Sequence, residues 1–388
     1  MLKVLLVMSD VYPSTAQSVR YKEMFKNLVI DYDVASLSLS LPFSICDSME
    51  TFTCLQGEAK GKSRLAKLSN WLFHVSYSIA KRILLPDGLI MWLWLYKKRI
   101  SSLFEKNKYD TVIICTTPFS LLSLGKWLKQ RHSVKRLLVD MSDPYSFNMV
   151  LSNSLIQKRI AKVIEKKYFP YFDNIILLND RIIQMYKTLY PSLAHQFVSI
   201  EQGIDEEFVK SIESNGYTLG SKFTFLYAGA FYVNGRNPKN LFNAFYNTDM
   251  DVILHTYSSN KKRLRPRKHP KICYHSRVEK SCLESITASA NALILMDNEF
   301  GYQIPGKTLE LLALKKPLLF IYSNEHSPTL DYVREAVGVV WTWNSTAGIQ
   351  DGIEQIVSMN DNVVSFNSID YTWENMRHKL SDLLRCSV

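Results

Sequence analysis

No two of the six cysteines (Cys46, Cys54, Cys115, Cys273, Cys282 and Cys386) form a C-x-x-C pair, and no His-rich cluster accompanies them. That removes the usual signatures of a structural zinc site. Scattered thiols in a chain of 388 residues point to a reduced, cytosolic protein. An apolar run of roughly 18 residues is missing as well, so no spanning helix is expected. The opening "MLKVLLVMSDVYP" has an apolar run of only about five residues, short of a secretory h-region, and reads as a buried strand. Acid is in short supply: 36 Asp and Glu stand against 47 Lys and Arg, a formal charge of +11. The excess of cations implies acidic partners: nucleic acid, phosphorylated ligands or an anionic membrane.

What remains is ordinary globular material, 47% hydrophobic and 21% charged, with length for two or three domains. Apolar runs predict strands at 3–9, 111–117, 135–142 and 174–180, then at 223–231, 251–258, 291–297, 317–323 and 339–343. They lack period-2 alternation, as strands buried on both faces of a parallel sheet do. Helical patterns fall between them, including 120–131, 156–168, 280–289 and 307–315. This alternation predicts an α/β fold of two Rossmann-like, doubly wound domains facing across a cleft. The polar stretch "DEEFVKSIESNGYTLGSK" (205–222) reads as a linker. Boundaries follow at 1–210 and 211–370, with an amphipathic helix in 371–388. Ligands of such sheets bind outside the carboxyl ends of the strands.

In "GYQIPGKTLELLALKKP" (301–317), Lys307 and Glu310 stand one turn apart at the start of an apolar helix. A helix start carries unpaired N–H groups and partial positive charge. Lys307 adds a full charge for an anion such as a diphosphate, and Glu310 can accept from the two hydroxyls of a ribose. A surface i,i+3 ion pair is the plainer alternative. In "YAGAFYVNGRNPKNL" (227–241), Gly229 ends a strand and permits close backbone approach. Arg236 offers a bidentate fork to phosphate. The G-x-G-x-x-G fingerprint is not there, so a nicotinamide-type assignment lacks support. "VDMSDPYSF" (139–147) delivers Asp140, Ser142 and Asp143 to a strand end, suited to polar binding or acid–base work, or simply to an Asp-Pro turn. No third carboxylate is near in sequence, so no metal is expected. In "SDVYPSTAQSVRY" (9–21), Ser14 and Thr15 can donate to a ligand or cap the helix that bears Arg20.

Residues 60–99 mix nine Lys and Arg with tryptophan, tyrosine and leucine, and hold one acid, Asp87. The stretch "LIMWLWLYKK" within them is too apolar for a solvated helix and too short to span. It reads as an interfacial membrane segment. The basic run "KKRLRPRKHPK" (261–271) lacks the interleaved aromatics of a nucleic-acid platform, so no nucleic-acid partner is expected.

Taken in order, "YPSTAQSVRY", "LPDGLIMW", "TTPFSLLSLGKWL", "VDMSDPY", "EQGID", "YAGAFYVNGRNP", "IPGKTLELLALKKPLL" and "YTWENMRHKL" resemble the GT-B glycosyltransferases of the large retaining family 4, especially bacterial polysaccharide- and lipopolysaccharide-assembly members. The resemblance implies that Lys307 and Glu310 are the donor-site lysine and the ribose-binding glutamate, and that Arg236 contacts the donor diphosphate. It places the base at "YHSRVEKS" (274–281), hence Tyr274, His275 and Arg277. Gly229, Ile304, Pro305 and Thr308 complete the donor site. It also implies that the final helix crosses back to the first domain. Tyr302 stands where many members carry the first of two glutamates. Ser142 stands where relatives often carry Arg or His.

The expected activity is a hexosyltransferase. It moves a sugar from a nucleotide-diphosphate donor to a hydroxyl of a lipid-linked glycan in surface polysaccharide synthesis, with retention. Asp143, Ser142, Arg236 and Lys307 are the catalytic candidates, and Ser14, Thr15 and Arg20 the acceptor-binding ones. The nucleotide sugar is a co-substrate, and neither cofactor nor essential metal is expected. The expected location is the inner face of the cytoplasmic membrane, reached through residues 60–99. A nucleotide-sugar epimerase of the same architecture, or a non-catalytic partner subunit, are the alternatives.

Overall fold

The computed structural model describes residues 1–8, 16–36, 44–46, 86–87, 90–91, 93–148, 154–214, 222–233, 235–258, 264–299, 302–359 and 364–385. The chain divides into two compact units: Met1–Glu201 with Glu374–Val388, and Gln202–Trp373.

In the first unit the order is β1 (Leu2–Met8), α1 (Ala16–Phe25), β2 (Ile30–Ser36), β3 (Ser44–Cys46), α2 (Leu93–Lys106), β4 (Thr111–Thr116), α3 (Leu122–Arg131), β5 (Arg136–Met141), α4 (Leu155–Tyr168), β6 (Asn174–Leu177), α5 (Asp180–Leu189) and β7 (Phe197–Ser199). The sheet runs β3-β2-β1-β4-β5-β6-β7. Only the β2–β3 pair is antiparallel. Strands β4 and β5 are buried at every position, as their apolar centres Val112–Cys115 and Leu137–Val139 require.

The second unit continues with α6 (Glu206–Ser214), β8 (Phe223–Ala228), α7 (Lys239–Asn247), β9 (Val252–Tyr257), β10 (Ile272–His275), α8 (Lys280–Ser289), β11 (Ala292–Met296), α9 (Thr308–Ala313), β12 (Leu318–Tyr322), α10 (Thr329–Glu335), β13 (Val339–Trp343) and α11 (Thr346–Ser358). Helix α12 (Trp373–Arg385) follows, and from Glu374 onward it belongs to the first unit. The second sheet runs β10-β9-β8-β11-β12-β13 and is parallel throughout. Both sheets reverse direction beside their first strand, at β1/β4 and β8/β11. Such a switch point opens a crevice at the carboxyl ends of the two strands. One apolar cluster around Phe225, Phe245 and Ile353 covers one face of the second sheet, and another around Leu226, Leu312 and Phe320 covers the other.

Two sequence expectations change. The supposed linker 205–222 begins with a helix. Asp205 caps it by accepting from the Phe208 N–H at 3.0 Å, and Phe208 and Ile212, four residues apart, bury the same face in the second core. The helix expected over 307–315 is shorter, Thr308–Ala313. Lys307 stands at its N-cap, and Lys315 takes a left-handed φ of 54° just beyond it. Of the interfacial segment 60–99, all but residues 86, 87, 90, 91 and 93–99 lie outside the described residues.

Candidate functional site

At the second switch point β8 delivers Gly229 and β11 delivers Asp297, Asn298 and Glu299. A Cβ on Gly229 would meet the Tyr227 hydroxyl at 3.0 Å. That hydroxyl in turn donates to the Ala230 carbonyl at 3.1 Å. The loop after β8 folds back on itself: the Tyr232 N–H donates to the Arg236 carbonyl at 3.0 Å, with Gly235 at a φ of 132° that only glycine adopts freely.

The 297–299 segment then fixes this loop. Arg236 Nη2 donates to Asn298 Oδ1 at 2.9 Å, and Asn298 Nδ2 donates to the Gln303 carbonyl at 2.8 Å. The Glu299 N–H donates to the Gly235 carbonyl. Asp297 lies beneath, 3% exposed. Burial pushes its carboxyl up to about 6, against hydrogen bonds from Ser327 and Thr329 and the pull of Arg236. The sequence alone assigns no role to Asp297, Asn298 or Glu299. Their signal was available: "MDNEF" ends a strand on polar groups, where such sheets bind ligands.

Lys307 and Glu310 line one small cavity with Phe208, Ala228 and Thr287. Burial lowers the Lys307 pKa, the Glu310 carboxylate opposes that, and Arg277 adds to it. A half-buried ammonium beside a second cation gains from an incoming anion. The helix behind it contributes less than the sequence suggested. It has only six residues, and its first N–H is taken by Pro305, whose carbonyl accepts from the Thr308 N–H at 2.9 Å and from Thr308 Oγ1 at 2.8 Å. Side-chain charge, not helix polarity, dominates here. Pro305 is buried and Ile304 packs against the core.

The residues expected beside a base sit at or just after the β9–β10 edge. The Tyr274 hydroxyl donates to the Ser258 carbonyl at 3.1 Å. His275 stacks on Tyr257 with centroids 4.5 Å apart, and its Nε2 lies 3.2 Å from His255 Nδ1. Burial holds both imidazoles below their usual pKa. Arg277 is exposed.

In the first unit, Ser14 and Thr15 lie outside the described residues. Arg20 is 1% exposed. Its Nε donates to Asp140 Oδ2 at 3.1 Å, Nη2 to the Ile200 carbonyl at 2.7 Å, and Nη1 to the Glu201 carbonyl. So placed, it holds structure together and presents no surface to an acceptor. Asp140 also accepts from the Tyr21 hydroxyl at 2.8 Å and from Ser142 Oγ at 2.9 Å. Asp143 follows, half-buried. Its loop is pinned from below by Glu165, which is fully buried. Glu165 accepts from the Ser146 N–H at 2.9 Å, the Ser146 hydroxyl, the Tyr186 hydroxyl at 2.7 Å and the Tyr190 hydroxyl at 2.8 Å. Burial raises its pKa and those four bonds oppose the rise. Phe119 stacks on Tyr145 at 4.0 Å, joining this loop to the one after β4.

No protein-family model and no curated protein matches the chain. Solved structures do. Sucrose-phosphate synthase from Thermosynechococcus elongatus is 12% identical, with a TM-score of 0.70 over 99% of this chain and 98% of that one. HepE from Anabaena, in complex with UDP and glucose, is 12% identical, with a TM-score of 0.62 over 99% of both chains. The lipopolysaccharide outer core galactosyltransferase WaaB is 11% identical, with a TM-score of 0.58 over 98% of both. At these identities the likeness is one of fold, and the chain has the two-domain, Rossmann-like GT-B architecture of these glycosyltransferases.

Proposed function

We propose that the protein transfers a sugar from a nucleotide-diphosphate donor to an acceptor hydroxyl. The observation that carries this reading is the pair of half-buried side chains Lys307 and Glu310, which meet at one small cavity beside Ala228, the last residue of β8. The cation suits a diphosphate and the carboxylate a ribose diol. Similar folds hold UDP with glucose, or UDP-glucose, and a uridine nucleotide is the first donor to test. As the bond from the anomeric carbon to the diphosphate breaks, negative charge grows on the leaving group. Lys307 and Arg236 stabilise it without a divalent ion.

Asp143 and Ser142 are the proposed acceptor-side groups, held by Asp140 and Glu165. Membership of the retaining family 4, retention itself and a role in surface polysaccharide assembly belong to the same proposal. So does a lipid-linked glycan acceptor. Its support is the described part of residues 60–99, where Met91 and Trp94 are exposed beside Lys98 and Arg99. Among the described residues no helix is long and apolar enough to cross a membrane, so the proposed attachment is peripheral, on the cytoplasmic face.

The test is a thermal-shift screen against nucleoside diphosphates and their sugars without added metal. Ligands that bind the folded state alone raise its melting temperature. A rise with one nucleoside diphosphate and its sugar supports the donor site and names the base. A flat response across the panel, with Lys307→Met melting like the parent under every condition, removes it.

A further inference from the structure

Helix α4 is well formed: Ser154 and Gln157 make a reciprocal capping box at 3.1 Å each way. It buries only Ala161 and Glu165. On the opposite side Leu155, Ile156 and Val163 are 77%, 68% and 64% exposed. Arg159, Lys162, Lys166 and Lys167 are exposed with them. At 3.6 residues per turn these seven positions fall within an arc of about 140°. The helix has one acid, Glu165, and that points inward into its cluster of hydroxyls. The outer stripe therefore has aliphatic side chains and cations and no negative charge.

Single exposed aliphatics are normal on a protein surface, but a grouped set rimmed by one sign of charge marks a partner. The aliphatics favour an apolar phase over a polyanion, and the cations favour a negative one. The neighbouring helices also carry cations and aromatic rings. Helix α3 packs against α4 and carries Lys126, 5.5 Å from the Tyr171 ring. Helix α2 reaches α3 through Lys97, 5.9 Å from the Trp127 ring, and exposes Trp94 by 61%.

We propose that α4 lies on an anionic lipid surface, its Leu155, Ile156 and Val163 set among the headgroups and its four cations against lipid phosphates. This rests on the membrane contact proposed for residues 60–99 and adds a second element to it. Long basic side chains reach outward past an apolar stripe, so both kinds of contact are made at once.

Co-sedimentation of the full chain with vesicles tests it. One vesicle set is phosphatidylcholine alone, and the other is equal parts phosphatidylcholine and phosphatidylglycerol. The chain is expected to bind the second set preferentially. Replacing Arg159, Lys162, Lys166 and Lys167 with Gln should weaken that binding several-hundred-fold, from about fivefold per cation. The variant L155S/I156S/V163S should also lose binding, which adsorption to any polyanion would not require. Both variants should keep the parent's melting temperature and donor-induced shift, because the altered side chains are exposed. If both α4 variants bind like the parent while K98Q/R99Q does not, α4 is excluded and the membrane reading stands. If the parent ignores anionic vesicles, both fall.

Discussion

Asp297 makes a sharp test of the second unit. Its folded-state pKa is about 6 against an ordinary 3.8, with burial as the main cause. A carboxyl with a raised folded pKa stabilises the fold fully below the unfolded value, and that contribution is lost as pH rises through about 6. A shift of about two pH units corresponds to about 3 kcal/mol. Asp297→Asn removes the titration and keeps an Oδ1 to accept from Thr329, whose hydroxyl lies 2.9 Å away. The new amide N–H needs an acceptor in a buried site, which takes back about 1 kcal/mol. Above pH 6 the variant should therefore be more stable by about 2 kcal/mol, and the difference should shrink, then reverse, on the way to pH 4. Urea unfolding of parent and variant across that range reads it directly. Only the difference between the two proteins matters, since other carboxylates titrate in both. A difference independent of pH, or one that grows on acidification, would refute the reasoning.

Other perturbations follow from the same geometry. Glu310→Ala is expected to weaken donor binding by roughly 10- to 100-fold, the loss of charge-assisted bonds to two hydroxyls, with nucleotide titration as the measurement. Arg20→Met leaves the wholly buried Asp140 carboxylate without its ion-pair partner and should cost about 3–5 kcal/mol in urea unfolding. Gly125→Ala sets helix propensity against space. A gain of about 1 kcal/mol opposes a Cβ that would sit 2.3 Å from Phe172 Cζ. Overpacking of about 1–3 kcal/mol should win, and the melting temperature should fall.

Strands buried on both faces were legible because one physical demand, apolar contact above and below, writes an unbroken run. Thr111–Thr116, Arg136–Met141 and Ala292–Met296 lie inside the stretches read from sequence. Strand β2 escaped notice because Asp31 and Asp33 interrupt it. Lys3 pairs with Asp31 at 3.1 Å and lies 3.7 Å from Asp33, a partner that no local pattern names. Strands β3 and β7 are only three residues long, too short for any period. The pairing of Lys307 with Glu310 was readable because the two are three residues apart at the start of one helix, and both line the same cavity. The Asn298 clamp on Arg236 spans 62 residues, and the buried role of Arg20 depends on carbonyls 180 and 181 residues away. An arginine in the first turns of an early helix reads equally well as a ligand contact or as a brace, and only the tertiary fold separates the two.

The return of α12 to the first unit sets an order of events during synthesis. Met376, Leu380 and Leu384 are buried, and Lys379 reaches Glu201 at 2.6 Å. These contacts become available only after the whole of the second unit has emerged, roughly 10–35 s later at 5–20 residues per second. The sheet translated first is thus the last to be finished. Until then it waits with an uncovered apolar patch, a natural substrate for a chaperone. A released chain truncated after Trp373 should expose that patch to protease while its second unit, contiguous in sequence, is already resistant.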